Sequence, residues 1–115
     1  MHNNVEKKLS QALLKFGISP SIKGYHYISE AVRIVLNSQE ITISFSKELY
    51  PEIAALFNVT AMSVERSIRN AIHTGYVHCD VEFAHSVFHN TLHSYSDIPT
   101  NTIFIITLAQ WIKFQ

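Results

Sequence analysis

The sequence has little of what interrupts regular structure or cross-links a chain. Its 115 residues include three glycines, three prolines and a single cysteine, Cys79. This leaves little room for long linkers, and one cysteine excludes an internal disulfide and fits a reducing cytosol. No apolar run is long enough to span a membrane, and the N-terminal residues lack the apolar core of a signal peptide. These absences predict a cytoplasmic protein with no membrane partner.

The chain also lacks an excess of either charge. Nine Lys and Arg residues balance nine Asp and Glu residues, while 47% of the residues are hydrophobic. That apolar fraction and the length predict one domain, residues 1–115, with a single core. Most DNA-binding domains are basic, because phosphate neutralisation supplies much of their affinity. Any DNA binding by this chain is therefore expected to be weak for one copy and strongly salt-dependent.

Helical periodicity dominates the first half of the chain. Residues 4–16 predict an amphipathic helix ended by Gly17, and a second helix follows from Lys23. Residues 37–46 alternate like a strand, but an isolated strand has no partner in a helical chain. They predict an extended connection, after which Ser46 caps a turn.

The last part of the chain, after Gly75, predicts two helices. Asp80 is placed to cap a helix with Val81, Ala84, Phe88 and Leu92 facing inward. Thr100 or Asn101 then caps the last helix, whose core-facing stripe is predicted to be Ile103, Phe104, Ile106, Leu108, Trp111 and Ile112. Ile105 and Phe114 fall on other faces, so this helix is either buried on several faces or meets another copy. In total the pattern predicts an all-α domain of six helices.

The stretch from Leu49 to Tyr76 is the part of the sequence on which the functional prediction depends most. Pro51 fits the start of a helix, and the segment Asn58-Val59-Thr60 forms a turn to a second helix. Gly75 either ends or bends that second helix. Two helices joined by a short turn, at about residues 50–75, are typical of a helix-turn-helix.

The second helix of this pair has two distinct sides. Of its apolar residues, Ile68, Ala71 and Ile72 fall within about 80° of Val64. Near the opposite side are Met62, Arg66, Arg69 and His73. This arrangement suits a recognition helix, which lies in the DNA major groove and is held from behind. It equally suits an ordinary surface helix with a solvated charged face.

Short strings spread across most of the chain match one known family in order and spacing. They are Lys23-Gly24-Tyr25, Leu49-Tyr50-Pro51, Ile53-Ala54, Phe57-Asn58, Val64-Glu65-Arg66, Ile68-Arg69 and Pro99-Thr100-Asn101. With these strings the chain resembles the DNA-binding effector domain of stage-zero sporulation protein A, the output domain of the response regulator that starts sporulation in endospore-forming bacteria.

The resemblance implies DNA contacts by Glu65, Arg66 and Arg69. An arginine can bind guanine O6 and N7 together or clamp a phosphate, and Glu65 can accept from cytosine N4 or hold an arginine in place. The alternative is a surface ion pair of little energetic value. Further candidates for the DNA-binding site are Ser63, His73 and Lys23.

The resemblance also implies partners and a context. It implies binding to double-stranded promoter boxes, a homodimer on tandem sites through the C-terminal helix, and contact with an RNA polymerase sigma subunit. No cofactor is implied. Family members carry an N-terminal receiver domain, and 115 residues have no room for one. The chain is therefore expected to be an excised effector domain or a free-standing relative.

Three positions depart from the family pattern. The family has a basic residue at the position of Ser63, and lysines at the positions of Ala55 and Leu56. Fewer basic groups weaken phosphate contacts. Two functions therefore stay open: a sequence-specific regulator of sporulation initiation, or a protein-interaction module that modulates a sporulation regulator without binding DNA strongly.

A stripe of histidines is the remaining feature with possible chemistry. His85, His89 and His93 repeat every four residues, a spacing that could offer two imidazoles to a metal ion. No zinc motif accompanies them, and no nucleophile elbow accompanies Cys79. Exposed histidines without a metal are the favoured interpretation, and the chain is not expected to be an enzyme.

Overall fold

The computed structural model describes residues 2–38, 43–88 and 98–114, and the regular structure in these ranges is helical. Its α-helices are α1 (His2–Lys15), α2 (Lys23–Asn37), α3 (Tyr50–Phe57), α4 (Ala61–His78), α5 (Val81–Phe88) and α6 (Asn101–Lys113), and a π-helical turn, Phe45–Leu49, leads into α3. The predicted all-α fold with six helices is confirmed. In the described ranges no helix is long and apolar enough to cross a membrane.

The core is built around Phe16 at the end of α1. Its ring is fully buried and lies against the rings of Tyr76, Phe83, Phe88 and Phe104, with centroid separations of 5.0–6.1 Å. Aromatic pairs of this kind contribute about 0.5–1.5 kcal/mol each beyond area burial. One side chain therefore joins α1 to α4, α5 and α6.

The turn before α3 is capped differently from the sequence prediction. Ser44, not Ser46, is the cap: its Oγ accepts from the Lys47 N–H at 3.2 Å, and its own N–H donates to the Glu48 carboxylate at 3.0 Å. This reciprocal pair satisfies two free N–H groups at once, which is why Ser44 takes the position. Ser46 is exposed. Residues 39–42 of the predicted connection lie outside the described residues.

Gly75 does not end α4, which continues to His78. Gly75 is buried where α4 passes Gly17, and a Cβ at position 75 would lie 2.5 Å from the carbonyl oxygen of Phe16. The glycine is there for close approach of two backbones. Nearby, the Asp80 N–H donates to the carbonyl of Lys15 at 2.8 Å, which fastens the end of α4 to the end of α1.

The last two helices confirm their predicted caps but not all their predicted faces. Asp80 Oδ1 accepts from the Phe83 N–H at 3.0 Å, and Thr100 Oγ1 accepts from the N–H of Ile103 at 3.2 Å. Val81, predicted inward, is exposed, and the predicted inward Leu92 lies outside the described residues.

In α6 two isoleucines exchange their predicted roles. Ile103 was expected in the core but is 53% exposed, whereas Ile105 was expected elsewhere but is fully buried. The exposed apolar surface of α6 is therefore carried by Ile103 and by Phe114, which follows the helix and is 77% exposed. These two residues are eleven positions apart, one near each end of α6.

Candidate nucleic-acid interface

A tight turn sets the angle between α3 and α4. Asn58 adopts a left-handed conformation, φ 57°, and the Val59 N–H returns to the carbonyl of Ala54 at 2.9 Å. Thr60 then caps α4, because its Oγ1 accepts from the Ser63 N–H at 3.1 Å. Asparagine tolerates the left-handed region better than most residues, and threonine is a favoured cap. The chain thus turns from α3 into α4 within three residues.

The inner side of α4 is fully packed. Val64, Ile68 and Ile72 have no exposed surface, and all belong to the hydrophobic core. On one flank α2 approaches so closely that a Cβ on Gly24 would lie 2.5 Å from the Cβ of Ala71. Helix α4 is therefore supported along its length by other elements, and its orientation is set by the core.

The opposite side of α4 is open to solvent. We define the outer face of α4 as the exposed residues Met62, Arg66, Arg69, Asn70 and His73. Four of these residues are polar, and Met62 is 68% exposed. An α-helix with its inner side buried and this much of its outer side free has the dimensions that a DNA major groove admits.

The two arginines of the outer face differ in their surroundings. The Arg69 guanidinium pairs with the carboxylate of Glu65, one turn earlier. No described residue forms a hydrogen bond or ion pair with the Arg66 guanidinium. Within α4 the only acidic residue is Glu65. Within the described part of the chain, the outer face therefore presents Arg66 without a partner and Arg69 with its side chain directed by Glu65.

An open groove borders the Glu65 side of α4. It has a volume of about 540 Å³ and is lined by the start of α3, by α4 and by the start of α6. At its base Asn101 Nδ2 donates to the backbone carbonyl of Glu65 at 3.1 Å and to Tyr50 Oη at 3.2 Å. Burial raises the pKa of Tyr50 above its ordinary value, so the phenol stays neutral and available as a partner.

The remaining candidates lie at the edges of the outer face. Ser63 is half-buried in the first turn of α4, where its backbone N–H is used by the cap. Lys23 is exposed at the start of α2, next to the Gly24 that contacts Ser67 and Ala71. The structure thus places Lys23 beside α4 in space, although forty residues separate the two in sequence.

The histidine stripe is only partly described. His85 is exposed on α5, and His89 and His93 lie outside the described residues. Among residues 2–38, 43–88 and 98–114, no group of three His, Cys, Asp or Glu side chains could hold a metal ion. Cys79 is half-buried, and burial raises its pKa, which disfavours the reactive thiolate.

Comparison with protein families identifies the chain's relatives. The model of the family described as "Sporulation initiation factor Spo0A C terminal" matches residues 9–112. The match covers nearly the whole chain, so the chain belongs to this family. The family is a sporulation-initiation DNA-binding effector domain and a regulatory domain, not a family of enzymes.

Sequence reasoning missed two parts of this region. Asn70 lies on the outer face, about 40° from Arg66, but it was left out of the predicted site. The helical spacing alone could have found it. Asn101 was considered as a helix cap, whereas its side chain bonds to Tyr50 and Glu65, 51 and 36 residues away. No local pattern signals that contact.

Proposed function

We propose that this chain is a sequence-specific DNA-binding transcriptional regulator of sporulation initiation, acting in the bacterial cytoplasm with α4 in the major groove. The observation that carries the proposal is the outer face of α4, which is exposed and arginine-bearing on a helix whose inner side is fully packed. A rigid support matters, because base-edge hydrogen bonds demand a fixed register. Membership in a DNA-binding effector family supports the same function.

Roles follow from the surroundings of each side chain. Arg66 has no partner among the described residues and can bind guanine O6 and N7, whereas Arg69 pairs with Glu65 and so reaches the DNA in one preferred direction. Asn70 can bind adenine N6 and N7. Lys23 and Ser63 at the edges, and His73 one turn after Arg69, are suited to the sugar-phosphate backbone, which positions the protein without reading sequence.

Self-association is the second part of the proposal. Ile103 near the start of α6 and Phe114 just after its end are exposed apolar residues, and we propose that they contribute to pairing of two copies on tandem promoter sites. Pairing adds affinity through effective concentration, which matters for a chain with no net charge. Sedimentation of the free protein and of its complexes with one-site and two-site DNA tests this. Strict monomers that fill the two sites independently would rule it out.

An interaction module is the alternative function, and exposed apolar side chains near α4 favour it. Leu56 on α3 is 63% exposed, and Met62 and Val77 on α4 are also exposed. Such residues suit a protein partner, for example an RNA polymerase sigma subunit, better than they suit phosphates. On this alternative the arginines form the polar rim of a protein interface.

A salt titration separates the two functions. Fluorescence anisotropy is measured with a promoter duplex and with a random duplex of equal length, between low and physiological salt. We expect the promoter to be preferred at every salt concentration, with both affinities falling as salt rises. Equal affinity for the two duplexes, or no binding at physiological salt, would favour the interaction module.

A further inference from the structure

We infer that Asn101 is a positioning residue for DNA recognition: its side-chain amide sets where the outer face of α4 stands relative to α3 and α6. The inference rests on the proposed function. Asn101 is the first residue of α6 and is only 8% exposed, so its side chain does not itself reach DNA.

The amide of Asn101 uses both of its donor hydrogens on other elements. Nδ2 donates to the backbone carbonyl oxygen of Glu65 in α4, at 3.1 Å, and to Tyr50 Oη at the start of α3, at 3.2 Å. An amide NH₂ has two hydrogens, so neither is left over. Three helices are thereby joined at one nitrogen atom.

The side chain is available for this because it does not cap its own helix. That role belongs to Thr100, whose Oγ1 accepts from the Ile103 N–H at 3.2 Å. Asparagine is otherwise a weak helix former, and its buried amide would be unfavourable without partners. The tertiary bonds therefore account for an asparagine at this position.

The carbonyl that Asn101 reaches belongs to the turn that carries Arg69. In an α-helix the carbonyl of residue 65 also accepts from the N–H of residue 69. The Glu65 carboxylate in turn pairs with the Arg69 guanidinium. One residue of α4 thus receives the bond from α6 and directs an arginine of the outer face. A shift of the start of α6 is transmitted to the turn from Glu65 to Arg69.

Two isosteric substitutions separate the two bonds. In Asn101→Asp a carboxylate replaces the amide; the Tyr50 hydroxyl can turn and donate to it, but the Glu65 carbonyl cannot. In Tyr50→Phe the hydrogen bond from Asn101 to the Glu65 carbonyl is kept, and the hydrogen bond from Asn101 to the residue 50 hydroxyl is lost. We expect Asn101→Asp to lower the ratio of promoter to random affinity by about tenfold or more, and Tyr50→Phe to change it by less than about threefold.

Two matched controls isolate positioning from charge and from stability. Thr102→Asp adds the same charge one residue later, at an exposed position, and is expected to lower both affinities without changing their ratio. Gln11→Gly destabilises α1 from an exposed position without a change of charge. At a comparable loss of Tm it is expected to keep the ratio of promoter to random affinity. If Asn101 had a merely structural role, Asn101→Asp would leave the ratio of promoter to random affinity unchanged, as these controls do.

The result that overturns the inference is a folded Asn101→Asp protein with the wild-type ratio. If that variant does not fold, Asn101→Ala, which adds no charge, takes its place under the same criterion. If the wild type itself shows no promoter preference, the proposed function fails and hydrogen exchange decides the inference instead. Faster exchange of the 65–69 amides in Asn101→Asp than in Gln11→Gly supports it, and equal exchange refutes it.

Discussion

Replacing Arg66 by alanine tests the centre of the proposed interface. The Arg66 side chain is exposed and, within the described residues, has no hydrogen-bond or ion-pair partner. Its removal should therefore change the free energy of unfolding by no more than about 0.5 kcal/mol. Alanine is also the better helix former, so a slight gain in stability is expected. The variant consequently reports on binding alone.

The expected loss of binding follows from the contact that an unpaired arginine can make. A bidentate bond to guanine contributes about 1–3 kcal/mol of discrimination against other bases. This corresponds to a fall in promoter affinity of about 5-fold to 150-fold. Random DNA should be affected much less, because it offers no fixed guanine at that position.

Fluorescence anisotropy with promoter and random duplexes measures both affinities, and circular dichroism confirms folding. Lys7→Ala is the matched control, since it removes one exposed cation from α1, on another element. Arg66→Ala could instead lose affinity equally for promoter and random DNA, and the slope of log affinity against log salt concentration could fall by about one. That result would make Arg66 a phosphate contact. Unchanged affinity in a folded Arg66→Ala protein would refute the reasoning.

Four further outcomes are expected. Ile68→Ala should lower the free energy of unfolding by about 2–5 kcal/mol in denaturant melts; a stable variant that lost only DNA binding would reverse the assigned sides of α4. A double-mutant cycle of Glu65→Gln and Arg69→Ala should give coupling in promoter affinity, and additive losses would mean that their ion pair has no role in binding. Burial raises the pKa of Tyr76 well above about 10, so its neutral form stabilises the fold below that pH and the contribution is lost as pH rises. Since its hydroxyl has no partner among the described residues, Tyr76→Phe should keep neutral-pH stability and shift alkaline unfolding to higher pH; an unshifted transition would exclude Tyr76 as its cause. Phe114→Glu should weaken self-association in sedimentation, and an unchanged association constant would exclude Phe114 from the contact between copies.

The predictions that succeeded depend on short-range rules. Thr60, Asp80 and Thr100 cap their helices as expected, because a cap is decided by a side chain and an N–H three residues away. The buried side of α4 was also predicted, because its apolar residues recur every three or four positions, which is the helical period.

The predictions that failed depend on orientation or on distant contacts. Helix α6 is apolar on most of its circumference, so the sequence has no polar side that decides between Ile103 and Ile105. Packing alone chose Ile105 for the core. Gly75 was predicted to end or bend α4, whereas α4 continues to His78; its partner, Gly17, is 58 positions away and no local pattern connects them. The site residues of α4 stay predictions until DNA binding is measured.

The crossing of Gly17 and Gly75 has a consequence for suppressor genetics. A Cβ at Gly17 would lie 2.5 Å from the carbonyl oxygen of Gly75, and a Cβ at Gly75 would lie 2.5 Å from that of Phe16. Each clash is with backbone, so no smaller side chain at the opposite position can relieve it, and glycine is already the smallest residue. Neither position can compensate for the other. A mutational scan should therefore find both intolerant, with revertants that restore glycine instead of second-site changes across the crossing.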